Sequence, residues 1–187
     1  MQAGVTFEFG EAFDEKGVLY HIGSAGSTRP YRNPHTAGAV LASLSSTHPH
    51  YPEWSLAARF VQGASHDGQP NFTANQAGSW MAVDLNRLLA PTHYCLRSDA
   101  NNVRKVRNWR LEGSKDGSSW TCLREHVNDA SLAATAFSVA AWPIENASAA
   151  VFRHFRVFQT AENSSGNDYL MCAGMELYGT LLPEEHA

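Results

Sequence analysis

Several polar residues stand near the predicted ends of strands, where their side chains could bind a ligand. Arg107 alternates with Trp109 and Leu111, so all three side chains are predicted to face the core. Gln159 has the same relation to Val157 in a later strand. A buried guanidinium or amide must be hydrogen-bonded, since leaving it unpaired costs about 1–3 kcal/mol. These side chains therefore either brace neighbouring loops or line a polar pocket.

The pocket interpretation predicts one ligand-binding site at an end of the molecule. Its members are polar residues near strand ends and in adjacent loops: Arg97, Arg107, Asn108, Gln159, Asn163, Ser165, Asn75 and Asn71. The planar guanidinium of arginine suits a carboxylate or a pair of sugar hydroxyl groups. The bracing interpretation predicts that backbone carbonyls and neighbouring side chains take up the same donors.

A second set of possible ligand-binding residues lies in predicted loops and mixes aromatic rings with polar groups. It comprises Tyr31, Arg32, Asn33, His35, Trp54, His66, Asp67, Asn71, Asn75 and Trp80. An aromatic ring packs against apolar surface while polar groups fix orientation, as a sugar or peptide site requires. Trp54 and Trp80 are nevertheless expected to fill the core.

Neither a metal centre nor a catalytic centre is predicted. His48 and His50 could face one metal ion, but the sequence offers no third ligand nearby. Ser164, His154 and Asp168 are close in sequence but carry no nucleophile-elbow motif. We therefore expect no enzymatic activity and no bound cofactor.

The element that positions the first of these polar residues is a predicted β-hairpin over residues 107–127. Asp116 and Gly117 form its turn, because both accept the positive backbone angles that tight turns require. Trp109 and Trp120, on either side of the turn, are predicted to be core residues. Two tryptophans around a short polar turn favour the edge of a β-sandwich over a helix.

The remaining elements are short strands separated by turns rich in Gly, Asn and Asp. Further strands are predicted at residues 38–46, 79–85, 92–97, 136–142, 153–160 and 169–180, with a short helical turn within 54–61. Apolar residues on both faces of 79–85 indicate a central strand. About eight such strands predict an all-β fold, an antiparallel β-sandwich or jelly roll. The length predicts a single domain over residues 1–187, with its core within about 7–180.

Composition and charge exclude several classes of partner. Apolar residues make up 43% of the chain, which is enough for a packed core. The net charge of −4 leaves no broad basic face for nucleic acid. No stretch approaches the roughly 20 apolar residues of a membrane span. Three distant cysteines imply no disulfide framework, and the first residues lack a leader pattern, so an intracellular, cytoplasmic location is expected.

Several ordered motifs resemble those of a discoidin domain, also called a coagulation-factor F5/8 type C domain, of the galactose-binding-like superfamily. They lie at residues 79–85 (SWMAVDL), 94–97 (YCLR), 107–114 (RNWRLEGS), 116–120 (DGSSW), 152–157 (FRHFRV), 163–166 (NSSG) and 174–179 (GMELYG). The resemblance covers nearly the whole chain. It implies an eight-stranded jelly roll that recognises its ligand through loops at one end, and it implies no catalysis.

Part of this pattern resembles the intracellular branch of the family, found in BTB-domain adaptors, muskelin-like proteins and HECT-type ubiquitin ligases. The similarity lies at residues 96–97, 107–109, 159–160 and 163–166. The extracellular branch joins its chain ends by a cysteine pair that is absent here, which argues against membrane lipid as the ligand. Related jelly rolls often hold a structural calcium ion, and Asp14 or Glu176 with backbone carbonyls would be its ligands here.

Three functions are compatible with the sequence. The first is a non-catalytic recognition module that binds a protein segment through its end loops, as part of a ubiquitin-ligase subunit or adaptor. The second is a carbohydrate-binding module that uses aromatic stacking with arginine and asparagine hydrogen bonds. The third is a structural module whose sandwich face packs against another domain without a small ligand.

Overall fold

The computed structural model describes residues 4–64, 66–145 and 149–183. Eight strands lie in these ranges: β1 (Val5–Phe7), β2 (Leu41–Leu44), β3 (Trp80–Arg97), β4 (Trp109–Ser114), β5 (Thr121–His126), β6 (Val139–Pro143), β7 (Phe152–Gln159) and β8 (Gly174–Leu181). The helices described are short: α1 (Val18–Gly23), a 3₁₀ helix (Pro52–Trp54) and α2 (Ala57–Phe60). None of the helices in these ranges is long and apolar enough to span a lipid bilayer.

The central strand is β3, which is one bent strand of 18 residues rather than the two separate strands predicted from the sequence. Its first half pairs with β2 and β7, and its second half pairs with β6 and β8. Asn86 has a left-handed backbone angle of 56° at the bend. Pro91 cannot donate a ladder hydrogen bond, and the register shifts directly after it, so the strand continues through the proline as a bulge.

Because β3 contributes to both layers, the eight strands form an antiparallel sandwich. One layer runs β5-β4-β7-β3-β2 and the other runs β1-β8-β3-β6. Side chains from both layers fill the space between them, and Trp109, Phe155, Leu96 and Leu177 are fully buried there. The predicted all-β antiparallel β-sandwich is confirmed.

The β4–β5 hairpin confirms the predicted turn but not the position of its second tryptophan. The Asp116 carboxylate accepts hydrogen bonds from two turn amides, and Gly117 has a positive φ of 74°. Trp109 is fully buried. The prediction that Trp120 is a core residue is wrong, because its ring lies on the outer face of the sheet, 4.1 Å from the guanidinium of Arg156. The β4–β5 register shifts between Leu111 and Glu112, and the extra residue in β5 reverses the face on which the residues before it lie.

Four connecting segments meet at one end of the sandwich, which we call the loop end. They are residues 45–79, 98–108, 127–138 and 160–173. Hydrogen bonds join them: Asn71 donates to the Cys172 carbonyl at 2.7 Å, and the Ser164 amide donates to the Lys105 carbonyl at 2.9 Å. The Phe137 amide donates to the carbonyl of residue 99 at 3.0 Å. Loops that were distant in sequence therefore form one continuous surface.

Candidate functional site

Arg97 braces the loop end instead of presenting free donors. Its two terminal nitrogens donate to the carbonyls of Gly63 and Ala64 at 3.0 and 3.1 Å. Its guanidinium carbon lies 4.0 Å from the centre of the Phe13 ring, and the residue is buried. The side chain thus fixes the segment that precedes β3 to the end of β3.

Arg107, Asn108 and Gln159 also contact neighbouring backbone. Arg107 is half-buried and donates to two carbonyls of the 127–138 segment at 3.1 and 3.0 Å. The Asn108 amide donates to the Glu162 carbonyl, and its oxygen accepts the backbone amide of residue 128. Gln159 is buried and donates to the carbonyl of residue 161, while its Oε1 has no hydrogen-bond partner.

The four remaining predicted site residues stabilise the loops in the same way. Buried Asn71 donates to the Cys172 carbonyl, and Asn163 donates to the Tyr169 carbonyl at 3.0 Å. Exposed Asn75 accepts the amide of residue 168 through its Oδ1. Ser165 is exposed and donates to the carbonyl of residue 103. All eight residues lie at the loop end, but their observed contacts are those of the bracing interpretation.

We predict that Arg97→Ala destabilises the fold. The substitution leaves two carbonyls without their buried donor and removes the packing on Phe13, so the free energy of unfolding should fall by about 2 kcal/mol. Urea denaturation followed by tryptophan fluorescence measures the change. The exposed Arg110 on β4 supplies the control, since Arg110→Ala should change stability by less than about 0.5 kcal/mol. Equal stability of the two variants would contradict the bracing role.

A buried hydrogen-bond network, which sequence reasoning missed, supports the loop end from below. Trp109 Nε1 donates to the Tyr94 hydroxyl at 3.0 Å, and that hydroxyl lies 2.6 Å from His126 Nε2. His126 Nδ1 lies 2.6 Å from the Asp129 carboxylate, which also accepts Trp142 Nε1 at 3.1 Å. Burial lowers the pKa of His126 more than Asp129 raises it, so the ring is neutral and donates through Nδ1. Tyr94, Trp109 and His126 are buried and Asp129 is only partly exposed, so we assign the network a structural role.

Lys105 is a second buried polar residue that the sequence did not single out. Its Nζ donates to the Ser98 hydroxyl at 2.8 Å and to the carbonyls of Asn101 and Thr135. Three acceptors satisfy the three donors of the ammonium group. The side chain thus fixes the position of the 98–104 loop, which forms one wall of the pocket described next.

An open pocket of about 370 Å³ lies at the loop end and is walled mainly by rings. We call it the end pocket; its lining residues are His48, Tyr51, Trp54, Pro70, Phe72, Asp99, Ala100, Asn101, Arg104, Tyr169 and Met171. Tyr51 and Trp54 stack at 4.7 Å between ring centres, and Tyr51 is 46% exposed. None of the eight predicted site residues lines it. It is nevertheless the cavity that best fits recognition by loops at one end.

The polar groups of the end pocket carry opposite charges. Asp99 is fully buried; its Oδ1 accepts the Asn101 amide at 2.8 Å, and its Oδ2 has no hydrogen-bond partner. Burial raises the pKa of Asp99 to about 6. Arg104 is half-buried, and its guanidinium carbon lies 5.2 Å from the centre of the Tyr169 ring. The pocket can therefore supply aromatic faces, an acceptor and a donor.

Two expectations about individual aromatic residues are corrected by this arrangement. Trp54 and Trp80 were expected in the core, but both are half-buried: Trp54 lines the end pocket and Trp80 lies on the outer face of the sheet. His48 Nδ1 accepts the backbone amides of His50 and Tyr51 at 3.2 and 3.1 Å. These two hydrogen bonds stabilise the turn that follows His48.

The two acidic residues considered as calcium ligands have other partners. The buried Glu176 carboxylate accepts the backbone amides of Leu19, Tyr20 and Leu177 at 2.7–2.9 Å. Asp14 accepts the Tyr178 hydroxyl at 2.9 Å. In the described ranges no group of three or more His, Cys, Asp or Glu residues is arranged to hold a metal. The observed partners of the Glu176 carboxylate are amide donors, whereas a calcium ion would also need carbonyl oxygens around it. The structure does not test calcium binding, which stays a prediction.

Comparison with known proteins now identifies the fold. A carbohydrate-binding module, CBM32-5 of Clostridium perfringens, solved in complex with GalNAc-β-1,3-galactose, superposes with a TM-score of 0.60. The two chains are 14% identical, and the match covers 76% of this chain and 96% of the module. The chain has a discoidin-like fold. The resemblance inferred from the sequence motifs is therefore confirmed.

The discoidin-like domain is similar in sequence to segments of much larger proteins. It is 38% identical over 176 residues to E3 ubiquitin-protein ligase Ufd4 of Drosophila melanogaster, covering 91% of this chain and 6% of the ligase. It is 33% identical over 173 residues to a BTB/POZ domain-containing protein of Arabidopsis thaliana, covering 89% and 21%. No family model matches the chain. The domain thus spans only a small part of these relatives' length.

Proposed function

We propose that the discoidin-like domain is a non-catalytic recognition module that binds a protein segment in the end pocket. Its setting would be a larger intracellular, cytoplasmic protein such as a ubiquitin-ligase subunit or adaptor. The observation that carries the proposal is the end pocket itself, an open cavity of about 370 Å³ in which the rings of Tyr51, Trp54 and Tyr169 are at least partly exposed. Aromatic rings held in a pocket are the usual anchors of a protein interface.

Two further observations support this function. The bracing residues and the buried His126 network hold the loops in place, so a ligand would meet a largely preformed site. The relatives with similar sequence are a ubiquitin ligase and a BTB/POZ protein. In both, the matching segment is a small part of the chain, as expected for a module that captures a partner on behalf of other domains.

We predict that Trp54→Ala weakens peptide binding by about 30-fold, the loss typical of a tryptophan at the centre of an interface. Peptides would be selected from a random phage-displayed library against the purified domain and titrated by fluorescence polarisation. Leu41→Ala is the matched control, because Leu41 is 61% exposed on β2, outside the end pocket. Selected peptides that lose affinity with Leu41→Ala and not with Trp54→Ala would contradict the proposed site.

A carbohydrate is the second candidate ligand, favoured by one specific observation. The stacked Tyr51 and Trp54 rings stand beside Asn101 and Arg104, a combination that can pack on a sugar face and hydrogen-bond its hydroxyls. Calorimetric titration with GalNAc-β-1,3-galactose tests it directly. Saturable binding that Trp54→Ala removes would favour the sugar over the protein segment.

Packing against another domain is the third possibility, and the outer face of the β2–β3–β7 sheet is its best location. Trp80 and Trp120 line a shallow groove of about 200 Å³ there, and Arg156 stacks between Trp120 and Phe158 at 4.1 and 5.0 Å. Arg156 also pairs with Glu112 at 2.6 Å. Leu41 lines this groove, so a loss of binding in the Leu41→Ala variant described above would indicate a contact on this face.

A further inference from the structure

Aromatic rings form much of the wall of the end pocket. His48, Phe72 and Tyr169 pack together with centre-to-centre distances of 5.2–6.0 Å, next to the Tyr51–Trp54 stack. The face of an aromatic ring carries partial negative charge, so a set of such faces attracts a cation. The chain itself illustrates this attraction, since the Arg104 guanidinium carbon lies 5.2 Å from the centre of the Tyr169 ring.

The pocket also contains a carboxylate whose bonding is incomplete. Asp99 is fully buried, and its Oδ2 has no hydrogen-bond partner. The buried ammonium group of Lys105 donates its three hydrogen bonds to Ser98, Asn101 and Thr135. The backbone amides of Asn101 and Asn71 and the charges of Lys105 and Arg104 oppose the rise in the Asp99 pKa, but Oδ2 has no well-aligned hydrogen bond. A buried carboxylate in this condition gains from a new positive partner.

We propose that the end pocket accepts a positively charged side chain, a lysine, methylated lysine or arginine, from a protein partner. The rings would surround the alkyl stem and the charged head, and Asp99 would supply the counter-charge. Arg104, the one arginine lining the pocket among the described residues, occupies the rim and acts as an internal competitor. This inference rests on the proposed function, because it names the group that the recognised segment must carry.

The test uses short blocked peptides that differ only in a central lysine, trimethyl-lysine, arginine, glutamate or leucine. Each is titrated into the isotopically labelled full chain and followed by two-dimensional NMR, reading the Trp54 indole N–H and the Asp99 amide. We expect saturable shifts with the cationic peptides. Asp99→Asn should weaken that binding roughly tenfold, and Arg104→Ala should tighten it roughly threefold by removing the competing charge.

Matched controls lie on the outer face, where Arg110 and Glu125 form an exposed ion pair at 3.0 Å. Arg110→Ala and Glu125→Gln should leave the affinity unchanged. Weaker cation binding in Arg104→Ala would overturn the proposal, and that variant also serves if Asp99→Asn fails to fold. If only the glutamate or leucine peptide shifts these resonances, the preference for a cation is contradicted while peptide recognition is supported. If no peptide shifts these resonances and the library selection yields no binder, both the preference for a cation and peptide recognition by the end pocket are contradicted.

Discussion

Replacing His126 by alanine is expected to lower the free energy of unfolding by about 4 kcal/mol. The ring is 4% exposed and stacks on Trp109 with 3.9 Å between centres, so its removal creates a cavity in the core. It also removes one hydrogen bond each from the Tyr94 hydroxyl and the Asp129 carboxylate, which keep their bonds to Trp109 and Trp142. Urea denaturation monitored by circular dichroism measures the loss. A change below about 1 kcal/mol would show that neighbouring side chains close the gap.

Two further variants separate the contributions of the His126 ring. His126→Phe keeps an aromatic ring on Trp109 but cannot bond Tyr94 or Asp129, so roughly half of the loss should remain. His50→Ala is the matched control, because His50 is exposed beside the end pocket and bears no buried hydrogen bond. Its unfolding free energy should stay within about 0.5 kcal/mol of the parent. If His126→Phe were as stable as the parent, the hydrogen bonds would contribute nothing.

Glu176→Ala is expected to cost about 3 kcal/mol of unfolding free energy. The carboxylate of Glu176 caps the first turn of α1, accepting the amides of Leu19 and Tyr20, and no side chain within the helix replaces it. Gly17 allows this approach, since a Cβ there would come within 2.2 Å of the Glu176 side chain. Thermal and urea denaturation measure the change. Exposed Glu53 provides the control, and Glu53→Ala should be neutral.

Glu176 also predicts a pH dependence with a defined sign. Burial raises the pKa of Glu176 to about 7 in the folded chain, although three backbone amides oppose the shift. Between about pH 4.5 and 7 the unfolded chain has lost this proton while the folded chain retains it, so stability falls as pH rises through that window. Glu176→Gln should flatten this part of the stability profile. An unchanged slope in that variant would assign the titration to another group.

Much of the fold could be predicted from the sequence because strand periodicity is a local signal. Met81, Val83 and Leu85 alternate in sequence and are all buried, as the pattern indicated. The turn at Asp116 and Gly117 follows from backbone preferences that need no distant partner. The bend of β3 could not be predicted in the same way, since it depends on two different layers pairing with the two halves of one strand.

The end pocket was the part that local signals could not supply. Its lining comes from segments separated by as many as about 120 residues, from His48 to Tyr169, and only the fold brings them together. The polar residues predicted as a site lie at the loop end, where their donors are used in bracing. The signal that was available is the group of rings in the proline-rich stretch around Tyr51 and Trp54. The usual preference of tryptophan for buried positions predicts Trp54 in the core, whereas the structure places it in the wall of the end pocket.

The pairing of β1 with β8 has a consequence for how this fold can be joined to other domains. Val5 lies opposite Leu181, and β8 runs from Gly174, beside Arg97 at the loop end, to Leu181 at the other. Eight residues of extended strand span roughly 25 Å. Polypeptide entering and leaving the sandwich therefore does so through adjacent points remote from the end pocket. Such a fold could be carried as a side branch on a longer protein, with the end pocket facing away from the points of attachment.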